Sequence, residues 1–205
     1  MKKITLTFVL AFACIFAANA QKFRVGLKAG VNFADANGII ADQSISSDTK
    51  MKASYHVGAV ADISLVGFYI QPGIIVNSKG FKIKDGITNE EVKTNLTYLE
   101  IPVNVGYRLG LGPLKANFGV GPYVAFGLGG KTVGGGIDEA IKWGTGEGET
   151  KPTDWGINIG AGIEVSKFFG TVQYGLGLSN ISNTVNSKFK NAVLSFSVGY
   201  YLFGL

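Results

Sequence analysis

The sequence predicts an all-β fold: an eight-stranded antiparallel up-and-down transmembrane β-barrel with a polar, filled interior. Three observations carry that expectation. Eight segments alternate between large apolar residues and small or charged ones, the connections between them alternate in length, and a removable leader precedes them. The fourth segment shows the alternation most fully. Leu99, Ile101, Val103, Val105, Tyr107 and Leu109 fall on one face of an extended strand, and Tyr98, Glu100, Pro102, Asn104, Gly106 and Arg108 on the other. Successive side chains of a strand point to opposite faces, so one face is wholly apolar while the other carries two charges.

Residues 1–20 read as a cleaved signal peptide. Lys2 and Lys3 form a basic start, an apolar run follows from Ile4 to Ala18, and Ala18-Asn19-Ala20 is a small-residue cleavage site. The apolar run is short for a permanent helical span. Residues 21–205 are then expected to form one outer-membrane barrel domain. Cys14 is the only cysteine and lies in the leader, so the rest of the chain has neither a disulfide framework nor a thiolate metal site. The net charge is +5, and +3 once Lys2 and Lys3 are gone, from 17 basic and 14 acidic residues. No basic run points to nucleic acid. The 30 glycines lack the three-residue period of collagen. Interleaved with large apolar residues, they suit strands whose second face is crowded.

Taken in order, the period-two pattern predicts strands over 23–33, 55–65, 68–77, 98–109, 114–127, 155–166, 172–179 and 195–202. Three connections are tight: around Val66-Gly67, over Gly110-Leu111-Gly112-Pro113, and over Lys167-Phe168-Phe169-Gly170. Four are longer: Asp35 to Lys52, about Gly80 to Glu91, Lys131 to Pro152, and Ser182 to Lys190. Short turns at one end and long loops at the other match an outer-membrane barrel with short periplasmic turns. Pro72, Pro102 and Pro122 each remove a ladder donor. They are expected to mark bulges or kinks rather than strand ends, because the alternation runs through them.

The charged face must point inward. A soluble carrier of the lipocalin type needs an apolar lumen and a polar exterior, and this pattern is the reverse. An Arg or Lys facing lipid at the midplane costs about 2–4 kcal/mol. The expected interior polar cluster is Arg24, Lys28, Asp62, Glu100, Arg108, Lys115 and Glu164, with Arg24 meeting Asp62 and Lys115 meeting Glu164 across neighbouring strands. An eight-stranded interior is just wide enough to be filled by side chains, so a structural, non-conducting role is expected of this cluster.

No catalytic, cofactor-binding or metal site is expected. Ala125 to Thr132 reads A-F-G-L-G-G-K-T, a permissive phosphate-loop pattern, but Val133-Gly134-Gly135-Gly136 is a poor helix start after it. His56, the only histidine, falls on the inward face and supplies neither a triad nor a usual zinc set. Asp138, Glu139, Glu147, Glu149 and Asp154 in the third long loop lack calcium-loop spacing. They read as a solvated face. Asn95-Leu96-Thr97 matches a glycosylation acceptor at a strand start and carries little weight. Phe23, Phe33, Tyr55, Phe68, Tyr107, Phe126 and Trp155 cluster toward segment ends, as interfacial girdles do. The expected partners are outer-membrane lipid and a surface protein or ligand meeting loops 35–52 and 131–152; the oligomeric state is left open.

Leu99-Glu100-Ile101-Pro102, Tyr107-Arg108 at the end of that strand, and Gly26 to Asn32 as an early Gly-x-x-x-Gly-x-Asn strand resemble the PorT-like outer-membrane barrel family of Bacteroidetes. The resemblance covers most of the chain after the leader. It implies an eight-stranded barrel in the outer membrane and brings no general catalytic residues with it. One member type functions in protein secretion and gliding. Phe203 is followed by Gly204-Leu205, a departure from the terminal aromatic residue usual in such barrels. The functional expectation is a structural or surface-interaction role through the external loops. The alternatives are a component of a secretion apparatus, a barrel lipid hydrolase or acyltransferase, and a soluble periplasmic carrier.

Overall fold

A strand that buries neither face in a protein core must satisfy its backbone through neighbours alone, and in lipid only a closed ring leaves no unpaired edge. The computed structural model describes residues 22–40, 43–44, 49–50, 52–65, 67–84, 91–183 and 187–204. The expected leader, 1–20, lies outside the described residues. The strands are β1 (Lys22–Ile40), β2 (Gln43–Ser44), β3 (Thr49–Lys50), β4 (Lys52–Leu65), β5 (Phe68–Lys84), β6 (Glu91–Leu111), β7 (Leu114–Gly134), β8 (Ile137–Ala140), β9 (Thr153–Val165), β10 (Phe168–Gly177) and β11 (Ser187–Gly204). Eight of them, β1, β4, β5, β6, β7, β9, β10 and β11, pair antiparallel in chain order, and β11 closes the ring on β1. The short β2, β3 and β8 extend β1, β5 and β7 at the loop end.

The ring is staggered. Partners run from Phe23 through Ile63, Ile70, Val105, Val120, Ile159, Tyr174 and Leu194 to Phe33, ten residues along β1 from the start. Such a shear tilts the strands by about 35–45° from the barrel axis. It also means that residues far apart in strand position can share one level of the lumen.

The outward face is apolar across the middle of the strands. Leu27, Ile70, Val105, Val120, Ile163 and Val198 are all exposed on it, which is where a lipid-facing band must lie. Aromatic side chains border it. At the turn end Phe68 packs edge-on to Tyr107 and Phe168 against Tyr200, with ring centroids 5.0 and 4.9 Å apart. At the loop end Phe33 meets Phe196 at 6.0 Å, and Tyr55, Phe126 and Trp155 are exposed beside them. Gly67 and Gly112 take φ of 87° and 66° in two of the tight turns, a region open to glycine.

Several strands exceed their expected lengths. β1 continues to Ile40, β5 to Lys84 and β7 to Gly134, while β6 begins at Glu91 and β11 at Ser187. Beyond the lipid band nothing demands an apolar outer face, so the alternation fades although the backbone ladder continues. The turn expected over Lys167 to Gly170 shrinks to Ser166 and Lys167. Phe168 points out while Phe169 points in and stacks on Tyr201 at 4.7 Å, so both belong to β10. The prolines cause no register shift. Pro72, Pro102 and Pro122 remain paired with Val103, Tyr123 and Ile157, and the shifts fall instead at Val25/Gly26 and Thr97/Tyr98.

Candidate functional site: the barrel lumen

Inward positions on β1, β4, β6, β7 and β9 build a charged network at the turn end. Arg24 and Asp62 are register partners on β1 and β4, with Nη2 3.1 Å from Oδ1. Lys115 and Glu164 are register partners on β7 and β9, with Nζ 2.8 Å from Oε1. Both pairs expected from the sequence therefore meet. Arg24 reaches across the barrel to Glu164 at 2.6 and 3.0 Å, and Arg108 joins both carboxylates. Ser64 and Tyr201 donate to Asp62 at 2.7 and 3.3 Å, and the Arg24 guanidinium lies 3.8 Å from the Tyr201 ring centroid. Charges out of water require this density of partners.

Glu100 does not belong to that network. It is held nearer the loop end by Lys79 at 2.8 Å and by Asn77 at 2.9 Å. Lys79, 2% exposed, lies 3.4 Å from Asp154 and 4.3 Å from the Tyr123 ring centroid. Asp154, wholly buried, also accepts from Asn191 at 2.9 Å, from Tyr123 and from Ser179. The single cluster of seven expected from the sequence thus divides: Arg24, Asp62, Arg108, Lys115 and Glu164 form the turn-end network, Glu100 lies eight residues along β6 from Arg108 in a second network with Lys79 and Asp154, and Lys28 joins neither. Lys79 and Asp154 were legible but missed. Lys79 continues the inward parity of Asn77 on β5, and Asp154 continues that of Gly156 on β9. Each lies one inward step past the segment boundaries drawn from apolar alternation, so Asp154 reads wrongly as a solvated loop acid.

Neutral polar groups fill the space between. His56 shares Nδ1 with Asn32 Oδ1 at 2.8 Å and Nε2 with Ser197 Oγ at 2.9 Å, and Asn32 donates to Asn77 at 2.7 Å. Lys28 stands apart, with Nζ 3.4 Å from Gln173 Oε1. Among the described residues no three His, Cys, Asp or Glu side chains converge as a metal set.

The loop end is covered by part of the third long connection. Trp143 packs edge-on to Tyr98 with centroids 5.4 Å apart, and Ile141 joins it over Leu96, Tyr98, Tyr123, Ala125 and Ile181. Lys151 N donates to Ile181 O at 2.9 Å, tying this loop to the next. Asp138, Glu139 and Glu147 of that connection face solvent, while Glu149 is half-buried and accepts from Gly146 N at 2.8 Å. The phosphate-loop-like stretch is ordinary strand. Lys131 pairs with Asp138 at 2.7 Å and Thr132 meets Thr94 at 3.2 Å, both within the β6–β7–β8 ladder. Of loop 35–52, residues 41–42, 45–48 and 51 lie outside the described residues.

The chain resembles several solved outer-membrane barrels. Neisserial surface protein A is 13% identical with a TM-score of 0.45, over 86% of this chain and 96% of that one. Ail, the attachment invasion locus protein of Yersinia pestis, is 9% identical with a TM-score of 0.42, over 87% and 99%. The N-terminal barrel domain of Pseudomonas aeruginosa OprF is 10% identical with a TM-score of 0.35, over 85% and 97%. No curated protein matches the chain. Residues 19–183 match the family described as outer membrane protein beta-barrel domain, a span that takes in every ring strand except β11. On that match the chain belongs to the outer membrane protein beta-barrel domain family, and its ring of eight strands lies in the outer membrane.

Proposed function

We propose that this barrel is a sealed anchor that presents its external loops to partners at the cell surface, conducting no solute and catalysing no reaction. The filled lumen carries the reading. Two ion-pair networks and the Trp143 lid obstruct the axis toward its two ends, leaving a cavity of about 30 Å³ between them, so the solvent-facing part of the molecule is the crown above the lipid band. There β5, β6 and β7 extend beyond the girdle, and loops 35–52 and 131–152 are the segments offered to a partner. Loops on a rigid scaffold are where recognition concentrates. His56 is bonded through both ring nitrogens inside the lumen, away from the rim where a barrel hydrolase would hold its base.

A role in a secretion apparatus is the second reading, and it rests on the Leu99-Glu100-Ile101-Pro102 resemblance. One experiment separates the two. Cells carrying a variant with residues 36–50 and 144–149 replaced by short Gly-Ser turns are compared with wild type for binding to a panel of surface polymers and proteins, and for the proteins released into the medium. Surface anchoring predicts lost binding with an unchanged secreted set and a barrel that still runs faster on gels unboiled than boiled. Unchanged binding with a failed secreted set would favour the secretion component and overturn the first reading.

A further inference from the structure

The lumen charges do not balance. Six cations point inward: Arg24, Lys28, Lys52, Lys79, Arg108 and Lys115. Four buried carboxylates answer them: Asp62, Glu100, Asp154 and Glu164. Asp62 and Glu164 are taken up by Arg24, Arg108 and Lys115, and Glu100 and Asp154 by Lys79. Lys28 and Lys52 are left over. Among the described residues Lys28 makes no ion pair, and its one hydrogen bond is the 3.4 Å contact to the Gln173 carbonyl oxygen. A charge enclosed without a partner is costly, so something in the lumen should answer it.

The space beside Lys28 fits an answer. It opens on a cavity of about 30 Å³ lined also by Gln71, Asn104, Asn117, Thr171 and Gln173. A water needs roughly 10–15 Å³ of such space, so the cavity has room for a pair of waters or one small ion. Its walls, which include Arg108, are rich in N–H and O–H donors. Thr171 Oγ1 is buried there with no hydrogen-bond partner among the described residues. No carboxylate lines the cavity.

At the turn end a vestibule of about 230 Å³ is lined by Lys22, Arg24, Arg108 and Lys115, together with Ser64, Gly67 and Gly110. Arg108 lines both spaces. Asp62 and Glu164 are paired behind these four cations, so the mouth keeps a net positive charge, and a concavity of net positive charge draws small anions toward it.

We propose that the centre of the lumen binds one small monovalent anion of the halide class, held by Lys28 Nζ and the Thr171 hydroxyl and admitted from the turn end. The one unpaired ammonium beside the cavity sets the charge of the ligand, and the cavity sets its size. Oxyanion polymers and nucleotides are too large.

The test uses the whole detergent-folded protein at fixed ionic strength, with sodium gluconate replaced stepwise by sodium bromide, and reads the temperature at which the compact unboiled gel form is lost. Bromide at ten times its dissociation constant multiplies the folded-to-unfolded ratio about tenfold, or about 1.4 kcal/mol. Lys28→Gln is expected to lose this response, whereas Lys167→Gln, which removes an equal charge from an exposed turn, keeps it. Bromide-soaked wild-type crystals should show an anomalous peak beside Lys28 Nζ, a readout that stands even where Lys28→Gln folds poorly. A bromide response retained by Lys28→Gln, or crystals without that peak, would overturn the proposal. The lumen would then hold a neutral Lys28 and water.

Discussion

Replacing Glu164 by Gln tests whether the turn-end network holds the barrel together or merely fills it. Glu164 is 1% exposed and is the shared acceptor for Arg24 at 2.6 and 3.0 Å and Lys115 at 2.8 Å, with the Arg108 guanidinium in ion-pair contact at 3.4 Å. The amide keeps the shape and one acceptor but removes the charge. Asp62 then stands alone against three cations. Removing one partner from a buried pair costs about 3–5 kcal/mol. Lys115 is 31% exposed and Arg24 14%, so water at this mouth moderates the loss and places it near the low end, about 3 kcal/mol. For a chain of this size that lowers the melting midpoint by roughly 6–12 °C. The assay is thermal loss of β-signal by circular dichroism in detergent, with gel mobility as a second probe. Removing Arg24 as well, as Arg24→Met with Glu164→Gln, should recover part of the loss, because the stranded cation is gone. A Glu164→Gln midpoint within about 1 °C of wild type would refute the reasoning. So would a double variant as unstable as the two single losses summed.

Two further outcomes follow from the faces of the strands. Val198→Arg, at a position 70% exposed on the outward face between Phe196 and Tyr200, should cost about 2–4 kcal/mol of folding in bilayers while Val198→Leu folds normally; equal yields in lipid vesicles would contradict an outward lipid face. Gly199→Ala should cost about 1–3 kcal/mol by overpacking, since a Cβ there would meet the Phe169 ring and lie 2.6 Å from Leu27 O. Phe169→Leu in the same chain should restore much of the melting midpoint, and no restoration would place the clash elsewhere.

The parity of each strand was readable because lipid imposes a strong rule on one face. Ile101, Val103 and Val105 could not be polar, so their neighbours Glu100 and Arg108 had to point inward. Depth was less readable. Glu100 and Arg108 share a face of β6 yet serve different networks, and the assignment depends on a ten-residue stagger that no single strand reveals. Lys79 and Asp154 escaped notice for a related reason. They lie where the outer face leaves the lipid and the apolar half of the pattern disappears, although the inner half continues. Trp143 offered no periodic signal at all. Its place over Tyr98 comes from a loop folding back, a contact set by three-dimensional closure rather than by local sequence.

The seam between β1 and β11 bears on assembly. These strands stand at opposite ends of the chain, yet they share a ladder from Arg24–Gly204 to Ile40–Ser187, so the longest-range pairing completes the ring. Adjacent-strand contacts such as Arg24–Asp62 and Lys115–Glu164 are available to an open, partly inserted sheet. Arg24–Glu164, His56–Ser197 and Lys28–Gln173 are not, because they bridge strands on either side of the seam and exist only after the two edges meet. The lumen therefore acts as a latch. Each seam-bridging bond rewards closure and would have to break before the seam could reopen, which gives the finished barrel a slow rate of opening as well as a favourable equilibrium.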